Sequence, residues 1–175
     1  THVAVDHDGQ PAEHFPLGSE GRFTMANEDN NSPVANGNGG ADAGGPQLTV
    51  QKLYIRDSSF EAPGAPHIFQ EQGQSRVELN LGQKAQQLAP NVYEIVLTIT
   101  VTCKMGEKTA YLAEVQQAGI FGLSGFDPQQ LDMVIGTYCP HVLFPYARQT
   151  ISTMVEQGGF PAFLMQPINF EQIYS

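Results

Sequence analysis

Positive charge is scarce in this chain: 175 residues carry eight lysines and arginines against 18 acids, a formal net charge of −10. Nucleic acid is thereby excluded as a main partner, because holding phosphates takes a clustered basic surface. Cysteine is nearly absent too. Cys103 and Cys139 have no CxxC and no histidine spacing around them, so no zinc site and no disulfide framework is indicated, and both read as reduced, buried thiols. No apolar run approaches the ~20 residues that span a bilayer, and the first residues lack the charged-then-apolar order of a secretory signal. These absences point to a cytosolic address and no membrane insertion. A hydrophobic content of 41 % over this length suits one core rather than two.

What is present is unevenly spread. Residues 1 to 46 hold seven of the acids, one base, eight of the 18 glycines and four of the 12 prolines, so the globular remainder is only mildly acidic. Met25 to Pro46 read MANEDNNSPVANGNGGADAGGP, with almost nothing to bury. Ordering such a segment costs ~1–2 kcal/mol per residue without return, so residues 25–46 are expected to be a disordered, acidic, Gly/Asn-rich arm. Residues 1–24, with three histidines and two phenylalanines, read as a leader or fused segment ahead of a natural start at Met25. The folded domain is residues 47–175.

Within that domain the periodicity is that of strands, then helices. Leu48 to Ile55 is β-rich, and the breakers Pro63, Gly64 and Pro66 predict a long crossing loop after it. Val77, Leu79 and Leu81 alternate with polar residues and share one face of a half-buried strand. Tyr93, Ile95, Leu97, Ile99, Val101 and Cys103 form one face of the strongest strand. Lys104 to Lys108 predicts a hairpin, after which Tyr111, Ala113, Val115 and Gln117 take one side of a returning strand and Leu112, Glu114 and Gln116 the other. Asp127, Pro128 and Gln130 form a capping signature for a helix with an apolar stripe at Leu131, Val134, Ile135 and Tyr138, which Pro140 is expected to stop. A second helix is expected from near His141, with Pro145 in its first turn and Ala147, Ile151, Met154 and Val155 on its buried face, ending at Gly158-Gly159. Asn169 and Gln172 offer another capping box for a helix that the chain cuts short. The fold class is therefore α+β: a four-stranded antiparallel sheet with helices packed on one face.

Catalytic chemistry is hard to find. Ser124 sits in Gly-Leu-Ser-Gly rather than a nucleophile elbow. Cys139 and His141 are the only Cys/His neighbours, at a helix joint, and read better as a core thiol and a capping-region histidine than as a catalytic pair. His67 stands alone, and no metal pair emerges. Gly119, Gly122 and Gly125 read as the turn leaving the sheet rather than a phosphate loop. Neither a cofactor nor a metal is expected. The unusual feature is apolar matter outside any regular stripe: Phe60, Ile68, Phe69, Phe121, Phe126 and the Phe160 to Met165 run, which together suggest an apolar groove between loop and helix.

Four segments carry a resemblance: Tyr54-Ile55-Arg56-Asp57-Ser58-Ser59-Phe60-Glu61-Ala62-Pro63, Ala113-Glu114-Val115-Gln116-Gln117-Ala118-Gly119-Ile120-Phe121, Tyr138-Cys139-Pro140-His141-Val142-Leu143-Phe144-Pro145-Tyr146-Ala147-Arg148 and Pro167-Ile168-Asn169-Phe170. In this order they resemble the signature blocks of the SecB family of bacterial export chaperones. The resemblance implies an ATP-independent holdase that keeps unfolded preproteins translocation-competent and delivers them to the SecA motor, and a homotetramer built as a dimer of dimers. Carried over residue by residue, it implies a SecA contact at Asp57, Glu61, Leu112 and Glu114. It implies a preprotein groove at Val77, Leu79, Leu81 and Phe69, and positions sensitive to assembly at Ala113, Val115 and Gln117. Where relatives carry a tryptophan after the loop aromatic, this chain has Gly73 and no tryptophan anywhere. A SecB-like chaperone controlling a toxin–antitoxin pair is the alternative within the same family, and a small enzyme using Cys139 or His141 the alternative outside it.

Overall fold

Branched aliphatics alternate with threonines from Val92 to Met105, and this segment forms β3, an interior strand of a four-stranded antiparallel sheet. The computed structural model describes residues 45–175; the expectations for residues 1–24 and for the arm before Gly45 lie outside them. Across the sheet the order is β1 (Gln47–Glu61), β4 (Lys108–Ser124), β3 and β2 (Ser75–Ala89). Ile95, Leu97, Ile99 and Val101 of β3 and Val115, Phe121 and Leu123 of β4 are buried on one face. Helix α2 (Tyr138–Gln157) covers them with Leu143, Ala147, Ile151 and Val155, four fully buried residues at a spacing of one helical turn. Each large aliphatic buried in this layer contributes ~1.5–3 kcal/mol, which makes it the main source of stability. Two short helices, α1 (Pro128–Gly136) and α3 (Phe170–Tyr174), lean on α2, so the expected α+β arrangement is the observed one.

The boundaries differ from the sequence expectation in instructive ways. β1 continues past Ile55 to Glu61, into the start of the expected loop. Its helix-facing residues change parity twice: Leu48 and Val50 oppose Leu123 and Phe121, Leu53 and Ile55 oppose Gly119 and Gln117, and Phe60 opposes Ala113. Each change coincides with a β-bulge, between Val50 and Lys52 and between Ile55 and Asp57. β2 likewise runs beyond Leu81 to Ala89, through Gln- and Ala-rich residues without strand periodicity, because β3 offers its whole edge as a template. Pro90 and Asn91 turn the chain, with Asn91 at φ 60°, a position that tolerates asparagine.

The helix joint also moves. α1 has the expected reciprocal cap, with the Gln130 amide donating to Asp127 Oδ1 at 2.8 Å and the Asp127 amide to Gln130 Oε1 at 3.2 Å. It ends at Gly136 rather than Pro140, and α2 begins at Tyr138. Pro140 thus sits in the first turn of α2, where amide partners are lacking anyway, while Pro145 falls inside the helix rather than in its first turn. In α3, Asn169 Oδ1 accepts from the amides of Glu171 and Gln172, the side-chain half of the expected box. Gly119 and Gly122 lie within β4 and only Gly125, at φ 77°, makes the exit turn. A Cβ at Gly119 would stand 2.7 Å from the Phe121 ring, so this glycine leaves room on β4 for that ring and for Leu143 of α2.

Candidate functional site

The helix layer leaves one end of its sheet face open, and aromatic rings border the gap. A groove of about 450 Å³ has Val77 of β2, Cys103 and Met105 of β3 and Tyr111 of β4 among its lining. Ile68 and Phe69, on a single 3-10 turn (His67–Gln70), and Phe160 and Phe163, on the extended segment after α2, line it as well. Phe160 lies with its ring centroid 4.9 Å from Tyr111, 5.1 Å from Phe69 and 6.2 Å from Phe60. Gly158 and Gly159 end α2 beside these rings; a Cβ at Gly158 would collide with Phe60 and one at Gly159 would press on Phe69. Gly73 lines the groove with no atom within 4 Å of a Cβ built on it, so its mouth is open there.

The groove residues expected from the sequence are not all in one depression. Phe69, half exposed, and Val77 line the groove just described. Leu81 lies in a second hollow of about 330 Å³ with Leu97, Gly136, Phe170, Ile173 and Tyr174. Leu79 lies between them on the same face of β2, and the three oppose Cys103, Val101 and Ile99. The inner face of β2 is thus an apolar row that α2, packed on β4 and β3, leaves partly open. Met105, Tyr111 and Cys103 were not read as groove residues; their signal was only the hydrophobic end of the strand alternation.

The other face of the sheet is polar. Asp57, Ser59 and Glu61 of β1 oppose Gln116, Glu114 and Leu112 of β4, which in turn oppose Thr98, Thr100 and Thr102 of β3. The four candidates Asp57, Glu61, Leu112 and Glu114 therefore share one surface. Thr100 Oγ1 donates to Glu114 Oε2 at 2.9 Å. Among the described residues the ion pairs are Arg56–Glu94, Arg76–Glu78 and Lys108–Glu71, and Asp57, Glu61 and Glu114 take part in none. Grouped carboxylates outside any ion pair project a negative field toward whatever docks there, since the neighbouring Arg56 is engaged with Glu94.

Beside this patch, Tyr54 Oη and Arg56 Nη1, the latter at 2.9 Å, both donate to Glu94. They reach across β4, where Ala118 is fully buried. Ala113, Val115 and Gln117 point the opposite way, to the helix-covered side, and are buried within one chain. Gln117 Nε2 donates to the Tyr54 carbonyl at 3.1 Å.

Burial sets the titration of the remaining chemistry. It pushes the Cys139 thiol up to about 12, so the buried thiol inside α2 stays protonated at neutral pH. Burial, with smaller contributions from Glu94 and Cys103 respectively, likewise raises Tyr54 and Tyr111 to about 12. All three ionise more readily in the unfolded chain, at ordinary values of 9.0 and 10.0, so their contribution is complete below pH 9 and is lost as pH rises toward 12. Thermal melting followed by circular dichroism is expected to show a falling midpoint from pH 9 to pH 11.5; a flat profile there would contradict the burial of these groups.

With an apolar groove on one face and unpaired acids on the other, the chain was compared with known proteins. Residues 41–175 match the family described as preprotein translocase subunit SecB. The chain belongs to the SecB family. It is 56 % identical over 133 residues to the protein-export protein SecB of Stenotrophomonas maltophilia, covering 76 % of this chain and 77 % of that one. It is 53 % identical over 135 residues to the protein-export protein SecB of Xanthomonas oryzae, covering 77 % and 79 %. Among solved structures, the SecB-like chaperone of Mycobacterium tuberculosis in complex with an antitoxin peptide shares the fold, with a TM-score of 0.59 at 12 % identity over 69 % of this chain and 90 % of that one. As a SecB-family protein-export chaperone the chain is not an enzyme. Among the described residues no helix is long and apolar enough to cross a membrane.

Proposed function

We propose that this SecB-family chain is an ATP-independent cytoplasmic holdase that takes unfolded preproteins into the groove bordered by Phe69 and along Val77, Leu79 and Leu81. It passes them to SecA through Asp57, Glu61, Leu112 and Glu114. The observation that carries this reading is the separation of the two surfaces: the apolar row and the unpaired acids lie on opposite faces of one sheet, so client and motor can be held together. A surface that must accept many sequences gains from apolar burial at ~25 cal/mol per Å², which asks little of the client beyond exposed hydrophobic side chains.

The same reading includes a homotetramer, a dimer of dimers. Both edge strands, β1 and β2, are 15 residues long and, among the described residues, unpaired on their outer sides, the kind of edge that recruits another chain. Val50 and Ile55 on β1 and Tyr138 and Tyr146 on α2 are exposed apolar surface in a single chain. Ala113, Val115 and Gln117, being internal, would affect assembly through the shape of the sheet. Control of a toxin–antitoxin pair, the alternative within the family, has no observation here that favours it.

Purified protein is expected to suppress aggregation of a denatured client without nucleotide and to scatter light as four chains per particle. A requirement for ATP, or failure to retain any client, would end the holdase reading; a stable monomer at micromolar concentration would end the tetramer.

A further inference from the structure

Apolar patterning requires an extra residue in β1 but does not say where. Ile55 and Phe60 both face the helix-covered side although they differ in parity, so one bulge must fall among Arg56, Asp57, Ser58 and Ser59. All four are polar. A bulge at Ser58 or Ser59 would bury Phe60 equally well while pairing Asp57 with Val115, which turns its carboxylate to the helix-facing side. The core would not prevent this, because Ser58, which holds that place now, is itself exposed on the edge strand. The observed bulge falls at Arg56, and it is held from both faces. On the outer face Arg56 and Tyr54 converge on Glu94 of β3; on the inner face Gln117, the only buried polar side chain among the described residues, donates to the Tyr54 carbonyl.

We infer that Arg56 is a positioning residue for the SecA-facing surface: its bond to Glu94 sets the bulge so that Asp57 joins Glu61 and Glu114 on the outer face. This rests on the reading of those acids as the SecA contact. The sign of the effect separates positioning from plain electrostatics. Arg56 is a cation beside an acidic patch, so its removal would by field alone strengthen the binding of a basic partner segment. Through misplacement of Asp57 it weakens that binding.

The test is calorimetric titration of purified SecA into the tetramer carrying Arg56→Gln, Arg56→Lys, Asp57→Ala and the Arg56→Gln/Asp57→Ala pair. Arg56→Gln is expected to weaken binding roughly five- to tenfold and Arg56→Lys less, with the pair no weaker than Asp57→Ala alone, the non-additivity of residues acting as a unit. Client retention, on the opposite face, stays as in the unmodified protein. Tighter or unchanged SecA binding by Arg56→Gln, or full additivity in the pair, would overturn the inference. If Asp57→Ala itself has no effect, the assignment of the SecA surface fails instead, and the two failures are told apart.

Discussion

Exchanging Glu114 for lysine is expected to weaken SecA binding by about two orders of magnitude while client retention is unchanged, in keeping with coupling energies of ~1.5–7 kcal/mol for close charge pairs across an interface. Glu114 stands on β4 between Ser59 of β1 and Thr100 of β3, and among the described residues its carboxylate accepts from the Thr100 hydroxyl and joins no ion pair. Its charge is therefore not spent on an internal cation. Lysine there removes one attraction and adds a repulsion in the middle of the patch, beside Asp57 and Glu61. The fold should tolerate it, since the position is on the polar face and the hydroxyl bond is a modest contribution of ~0.5–1.5 kcal/mol. The loss should shrink as ionic strength rises, because exposed charges are screened over ~8 Å at physiological salt. Titration calorimetry at two salt concentrations checks both statements, and an affinity within twofold of the unmodified protein would remove Glu114 from the contact.

Truncating Phe160 to alanine is expected to have the largest combined effect on stability and client binding. Its ring is the shared neighbour of Phe60, Phe69 and Tyr111, and it borders the groove. Losing such a ring costs ~3 kcal/mol or more. For a domain of this size that lowers the melting midpoint by roughly 10 °C. Aggregation suppression should fall in parallel, since a wall of the groove is gone. Phe69→Ala separates the two effects: half exposed on its turn, it should weaken client retention severalfold, as truncation of a binding-surface anchor does, with only a small change in melting. Full chaperone activity in both variants would exclude this groove as the client surface.

How much of this was legible in advance depended on whether a residue's role follows from its neighbours along the chain. The alternation of Tyr93 to Cys103 and the Asp127-Pro128-Gln130 cap are local signals, and both appear in the structure where local physics puts them. β2 beyond Leu81 was not legible, because Gly82 to Ala89 form a strand only by pairing along β3. The helix joint was misjudged because Pro140 is a stop signal inside a helix but a neutral residue in the first turn of the next one, and which applies depends on where Thr137 ends α1. For the site, the apolar segments were visible as a surplus of phenylalanines, but not that Phe160 would meet Tyr111 and Phe69, segments far from it along the chain.

By itself the sequence determined the class of the fold and the family, because periodicity, capping and signature blocks are properties of short segments. It held no sign of the bulge in β1, since the β-rich run reads as ending at Ile55 and Phe60 as part of the segment after it. Only the tertiary structure decided where that bulge falls, and hence that Asp57, Glu61 and Glu114 look out from one face while Val77 and Phe69 line a groove on the other. The reason is physical: register and facing are set by pairing between strands distant in sequence, and a shift of one residue moves every side chain after it to the opposite face.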